Sequence, residues 1–217
     1  MTETGRYDVS GLIEAQYQPA SRGRVLRNLR GITSKREMDE AEAREQKRAL
    51  EEILSIYTSS HRFKAGDICR MHKIWLGGIY QWAGQYRQVN LSKGLFPFAA
   101  AGRISDLMDN FEKGPLRQFT PCLFATQPEV VHALSVVHTE LVLIHPFREG
   151  NGRVARMLAI VMAVQAGLPP LDFGHLKGRT KHEYFRAVQA GMDYDYTPME
   201  KILNGVLERT LKRRSQP

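Results

Sequence analysis

The sequence predicts a mostly α-helical single domain, built around a buried central pair of helices and carrying one β-hairpin. Apolar residues recur at helical spacing over Pro128 to Ile144 and again over Arg153 to Gln165, which marks the central pair. Turn and extended-strand signals come together between Gly78 and Ala100. At 217 residues and 42% apolar content, the chain can bury one good core.

Taken in order, residues 1–30 carry Gly, Pro and Ser without a sustained period and read as an N-terminal arm. Glu37 to Tyr57 places Ala, Leu and Ile at helical spacing among dense charges, with Ser34 as the N-cap. Asp67 to Leu76 is a second helix, with Ile68, Met71, Ile74 and Trp75 facing the core, and Gly77-Gly78 ends it. Trp75 and Trp82 read as core anchors. Tyr86-Arg-Gln-Val-Asn-Leu alternates like a strand, Ser92-Lys93-Gly94 reads as the turn, and Leu95 to Phe98 as the returning strand. A solitary hairpin is marginal in water and normally has something docked on it. Ile104 to Phe111 is a further helix. In Pro128 to Ile144, residues Val130, Val131, Leu134, Val137, Leu141 and Ile144 make a largely buried face. His132 and His138 lie on that helix without metal-ligand spacing. Lys181 to Gly191 and Pro198 to Leu211 complete the helices, and residues 212–217 form a basic tail.

Between the two central helices lies His145-Pro-Phe-Arg-Glu149-Gly-Asn-Gly-Arg153-Val-Ala-Arg156. Pro146 ends the first helix and pushes His145 out of helical geometry. Gly150, Asn151 and Gly152 permit a tight turn with its N–H groups aligned, leading into the next helix: the device that holds phosphates. Arg153 and Arg156 sit in the first turn of that helix, where they can donate to phosphate oxygens. Glu149 would repel phosphates unless it holds a divalent ion, most simply Mg²⁺. His145, with an ordinary pKa near ~6.5, can take up a proton at neutral pH. Together these residues point to transfer of a nucleotide phosphoryl group to a hydroxyl. Phe147 reads as a plug fixing the loop to the core.

This run resembles the signature H-x-F-x-(D/E)-G-N-G-R-x-x-R of the Fic domain family, without a departure. The resemblance covers roughly residues 31–211, with the core motif at 145–156, and implies a Fic-type helical domain with a β-hairpin flap. It further implies a protein adenylyltransferase that moves AMP from ATP to a Ser, Thr or Tyr hydroxyl of a target protein, with ATP as co-substrate. On that pattern His145 is the catalytic base and Glu149 binds the metal. Gly150, Asn151, Gly152, Arg153 and Arg156 hold the phosphates. Lys93 and Phe96 on the flap face nucleotide or target, and Tyr184 and Gln189 border the adenine. The related Doc toxins are kinases with lysine where this chain has Gly152, so the glycine favours AMP transfer. A Doc-like kinase, transfer of UMP or GMP, and a basic DNA-binding regulator are the alternatives.

Some relatives carry an inhibitory (S/T)-x-x-x-E-(G/N) helix whose glutamate pairs with the second arginine, here Arg156. Ser10 to Ala15, with Glu14, departs from that pattern at its last position, and so does Thr33 to Met38, with Glu37. A separate antitoxin protein, as in a toxin-antitoxin pair, is therefore the expected partner.

Composition narrows the classes further. The net charge is +8, yet the basic clusters at Ser21 to Arg30 and Lys212 to Arg214 have no interleaved aromatics, so nucleic acid is not a required partner. No apolar run is long enough to span a bilayer and MTETGRYDVS lacks an apolar leader region, so a cytoplasmic protein without a membrane partner is expected, with delivery to another cell left open. Cys69 and Cys122 are too few and too far apart for a disulfide framework or zinc site.

Overall fold

The computed structural model describes residues 11–176 and 179–214. Helix α1 (Lys35–Ile56) starts at Ser34, whose Oγ accepts the Glu37 N–H at 3.4 Å. It buries Met38, Ala41, Glu42, Ala49 and Ile53 along one stripe, and its wet face carries i,i+4 ion pairs such as Arg48–Glu52. Helix α2 (Ala65–Leu76) begins two residues before the expected start, because the Asp67 carboxylate reaches back to the Lys64 N–H at 2.9 Å. It packs against α1 and buries Ile68, Met71, His72 and Trp75.

Helix α3 (Ile104–Phe111) continues through a wide π-turn (Glu112–Leu116) into a short helix α4 (Arg117–Phe119). Pro115 has no N–H to give to the regular ladder, and the widening falls at that place. Helix α5 (Gln127–Ile144) is closed at its start by a reciprocal Thr126–Glu129 box and packs along α6 (Asn151–Gln165) as the central pair. Both are buried on most sides, as their apolar patterns require. Helices α7 (Arg179–Ala190) and α8 (Thr197–Arg214) pack against α5 and against each other.

Three expectations change. The hairpin is shorter and shifted: β1 (Ser92–Lys93) pairs antiparallel with β2 (Phe96–Pro97), so Ser92 and Lys93 are strand rather than turn, and Gly94 (φ +58°) and Leu95 make the reversal. Tyr86 to Leu91 is not a strand, because its polar groups are spent on the motif loop. The Arg87 N–H donates to Pro146 O at 2.8 Å, and its buried guanidinium (2% exposed) donates to His145 O at 2.7 Å and to Val89 O and Ala99 O, each at 2.6 Å. A sequence alternating polar with apolar reads as a half-wet strand, but here the polar residue points inward. The N-terminal segment is not a free arm from residue 11 onward: Val25 and Leu26 are buried, and Glu14 accepts the Gln88 N–H at 2.6 Å. The basic tail is helical through Lys212, Arg213 and Arg214, and residues 215–217 lie outside the described part.

Cys69 and Cys122 are unpaired, and among the described residues no helix is long and apolar enough to cross a membrane.

Arg87 ties the base of the hairpin to the end of α5 through buried charge-assisted bonds, each of which contributes about 1.5–3 kcal/mol. Arg87→Ala should therefore lower the free energy of unfolding by at least about 3 kcal/mol, as read by urea denaturation; a midpoint equal to wild type would show that these bonds do not hold the fold.

Candidate active site

The motif loop takes its shape from a few buried contacts. His145 caps α5 in the left-handed region (φ 54°, ψ 57°), so the chain turns sharply there and presents the imidazole sideways. The His145 ring donates from Nδ1 to Val142 O at 3.0 Å, which leaves Nε2 as the lone-pair nitrogen. Phe98, after β2, stacks on the ring with centroids 3.6 Å apart. Burial pulls the pKa of His145 down to about 4, the Val142 carbonyl opposing it and Arg87 adding to it, so at neutral pH the ring is neutral and keeps a lone pair on Nε2.

The loop is closed by Asn151, which is 2% exposed: its Oδ1 accepts the Phe147 N–H at 2.8 Å and its Nδ2 donates to Phe147 O at 2.7 Å. What Asn151 offers an anion is therefore its main-chain N–H, not its side chain. Gly150 sits at φ +83°, and a Cβ there would come within 2.6 Å of the Trp75 ring, so only glycine fits. At Gly152 a Cβ would meet nothing within 4 Å, so glycine leaves space there that a side chain would fill. Of the first-turn N–H groups of α6, that of Arg153 donates to Gly150 O at 2.9 Å, while those of Asn151 and Gly152 meet no carbonyl among the described residues and lie along the cleft at the positive end of the helix dipole.

The cleft encloses about 660 Å³ and is lined by His145, by Glu149 through Arg153, and by Arg156, Lys93, Phe98, Lys181, Tyr184 and Phe185. Arg153 forks between Glu42 Oε2 at 2.7 Å and Glu149 Oε1 at 3.2 Å, with its guanidinium 4.5 Å over the Trp75 ring. Arg156 donates from Nε to Gly152 O at 3.0 Å and makes no ion pair among the described residues. Burial lowers its pKa, so its unbalanced charge calls for an anion.

Glu149 is the cleft's one carboxylate among the described residues, and its side chain is 45% exposed. Oε1 accepts from Gly150 N–H and Arg153, and Oε2 has no partner among the described residues. No cluster of three or more His, Cys, Asp or Glu suited to a metal occurs among them. A lone carboxylate beside an anion cradle fits Mg²⁺, which keeps several waters and takes its remaining oxygens from substrate phosphates.

The other predicted positions divide. Lys93 lines the cleft, with Nζ 3.3 Å from the centre of the Phe185 ring. Tyr184 also lines it, its hydroxyl 2.7 Å from His138 Nε2. Phe96 and Gln189 are not in the main cleft; they line an adjoining hollow of about 380 Å³ with Phe98, Phe185 and Val188. The pattern Glu14 and Glu37 belong to finds no counterpart at Arg156: Glu14 is committed to Gln88, Glu37 is exposed at the start of α1, and Ser10 lies outside the described residues.

Sequence reasoning missed four positions: Glu42, His72, Arg87 and Phe98. His72 is fully buried and stacked 3.9 Å from Phe147. Its Nδ1 accepts the Gly84 N–H at 2.8 Å, so Nε2 carries the proton and donates to Glu149 O at 3.0 Å, fixing the loop at the carboxylate residue. None of the four stands in a motif; the available signal was a polar residue at a core-facing helix position, as Glu42 and His72 are.

A left-handed histidine, a glycine-walled helix N-terminus and two arginines around one cleft follow the whole signature read from the sequence, and the family comparison agrees: residues 62–163 match the Fic/DOC family. Through this stretch, just under half of its length, the chain is similar to Fic/DOC proteins. A protein adenylyltransferase Fic of Nematostella vectensis is 26% identical over 161 residues, 72% of this chain and 35% of the relative. One of Aedes aegypti is 30% identical over 146 residues, 67% of this chain and 28% of the relative. The chain thus spans about a third of the length of the curated relatives it matches. The Fic fold is shared with BepC of Bartonella tribocorum, solved with bound AMPPNP, at TM-score 0.68 and 22% identity, covering 83% of this chain and 91% of that one. It is shared also with the FIC domain of Bep5 of Bartonella clarridgeiae, at TM-score 0.70 and 18% identity, covering 94% and 99%.

His72, His138 and His145 are all pulled down to about 4, in each case chiefly by burial. Between about pH 4 and 6.5 the unfolded chain binds more protons at these rings than the folded one, so folding stability is fullest above pH 6.5 and falls as pH drops through that window. An NMR titration of the folded protein should place the His145 midpoint near 4; a midpoint at 6.5 would show that the ring is not desolvated.

Proposed function

We propose that this Fic domain transfers AMP from ATP to a Ser, Thr or Tyr hydroxyl of a target protein, with Mg²⁺ bound at Glu149. The observation carrying this reading is the unprotonated Nε2 of His145 facing a cleft floored by the α6 N-terminus. Nε2 takes the proton of the target hydroxyl; the oxygen bonds to the α-phosphorus as the bond to the β-phosphate oxygen breaks, and pyrophosphate leaves. The Asn151 and Gly152 N–H groups receive phosphate oxygens, Arg153 meets the charge growing on pyrophosphate, and Arg156 takes the γ-phosphate. The divalent ion would neutralise phosphate charge and orient the chain of phosphates. The open space over Gly152 supports AMP rather than phosphate transfer, since it leaves room for the two outer phosphates.

The adenine belongs in the adjoining hollow, whose Phe96, Phe185 and Val188 offer apolar surface and whose Gln189 offers an amide for a base edge. The target segment lies along the hairpin, where among the described residues β1 and β2 pair only with each other and the tip residue Leu95 is fully exposed. The BepC structure holding AMPPNP and the adenylyltransferase names of the sequence relatives support nucleotide use. Control by a separate antitoxin is part of the same reading: Arg156 makes no ion pair among the described residues, so an inhibitory carboxylate would have to come from beyond them.

Intact-protein mass spectrometry after incubation with Mg²⁺, ATP and host lysate tests this. An AMP-sized addition is expected on a lysate protein or on the chain itself, and His145→Ala should slow it by about 10² to 10⁴ while ATP binding persists. A phosphate-sized addition would replace this reading with a Doc-like kinase, and stronger labelling from UTP or GTP would change the nucleotide. Salt-dependent DNA binding with no transfer from any nucleotide would sink it in favour of a DNA-binding regulator.

A further inference from the structure

The signature accounts for Arg153 and Glu149 but not for the third charged group, which touches Arg153. Glu42, on α1 and distant in sequence, has a side chain only 3% exposed and bonds through Oε2 to Arg153 Nη1 at 2.7 Å. Its Oε1 accepts the Tyr80 hydroxyl at 2.7 Å, and its main-chain oxygen accepts the Trp75 Nε1–H at 2.9 Å. The Trp75 ring lies under the guanidinium and is wedged against Gly150, so the cation is supported from below and anchored from the side. On its other side stands Glu149, at 3.2 Å and 45% exposed.

We infer that Glu42 is a positioning residue: by holding Arg153 from α1 it keeps that cation from closing onto Glu149, and so leaves Glu149 free to take a divalent ion. This rests on the phosphoryl-transfer reading above. Arg153 has two carboxylates in reach and divides its donors between them. A buried pair with its other oxygen satisfied holds the guanidinium more firmly than a half-exposed one, which water screens. With the charge of Glu42 gone, Arg153 has Glu149 as its remaining carboxylate and its fork geometry suits a two-bond pair. That pair occupies the oxygen a cation would use. An isolated glutamate on a helix face reads from the sequence as a wet residue; its burial against the motif arginine gives it this role.

The test is manganese(II) binding followed by EPR of the free ion, with saturating AMPPNP, on wild type, Glu42→Gln and Glu42→Gln with Arg153→Gln. Glu42→Gln should raise the half-saturating Mn²⁺ concentration about fivefold, the scale of one partly exposed ion pair. The double variant should return towards the wild-type value, because the competitor is gone. A Glu42→Gln protein that binds Mn²⁺ like wild type, or a double variant as weak as the single, overturns the inference while wild-type binding upholds the function. Wild-type protein that takes up no Mn²⁺ with the nucleotide overturns both together. If Glu42→Gln fails to fold, Glu42→Asp keeps the charge with a shorter reach and should show a smaller rise; an unchanged value overturns the inference.

Discussion

The site depends on the amide of Asn151, which closes two hydrogen bonds on the backbone of Phe147 at 2.8 and 2.7 Å inside the protein. Those bonds fix the distance between the end of α5 and the start of α6, hence between His145 and the α6 N-terminus. A buried amide left half satisfied would cost roughly 1–3 kcal/mol, so the loop has little freedom to take another shape. Phe147 itself is fully buried against His72, which ties the loop to α2 as well as to the central pair.

The chemistry of His145 follows from how that loop is held. A left-handed backbone turns the ring out of the helix, the Val142 carbonyl selects the tautomer, and burial with Phe98 across its face keeps it neutral. The same burial would be ruinous for a charged residue without partners, and Arg87 shows the arrangement that avoids this: its donors end on carbonyls at the close of α5 and around the hairpin. One buried cation thereby fixes the base of the hairpin and the backbone of His145.

The two arginines of the motif are in different states before any ligand arrives. Arg153 is balanced by Glu42 and Glu149, whereas Arg156 is buried without an ion pair among the described residues. On the proposed function, an incoming triphosphate would be drawn first to Arg156 and the helix N-terminus, where charge is unspent, while Arg153 offers a prearranged set of donors.

The sequence by itself determined the central helix pair, the loop between them and its order of chemical groups. Those features rest on local rules: proline ends a helix, glycine allows a left-handed turn, and apolar spacing sets the buried face. Residues Ile104 to Phe111 and the Ser34 cap were legible for the same reason. Only the tertiary structure decided that Arg87 points inward and so dissolves the expected strand, that Phe98 rather than Phe96 covers His145, and that Glu42 and His72 support the motif from α1 and α2. Each is a contact between residues far apart in the chain. Periodicity says which face is buried, but only the packed helices say which polar group finds a partner there.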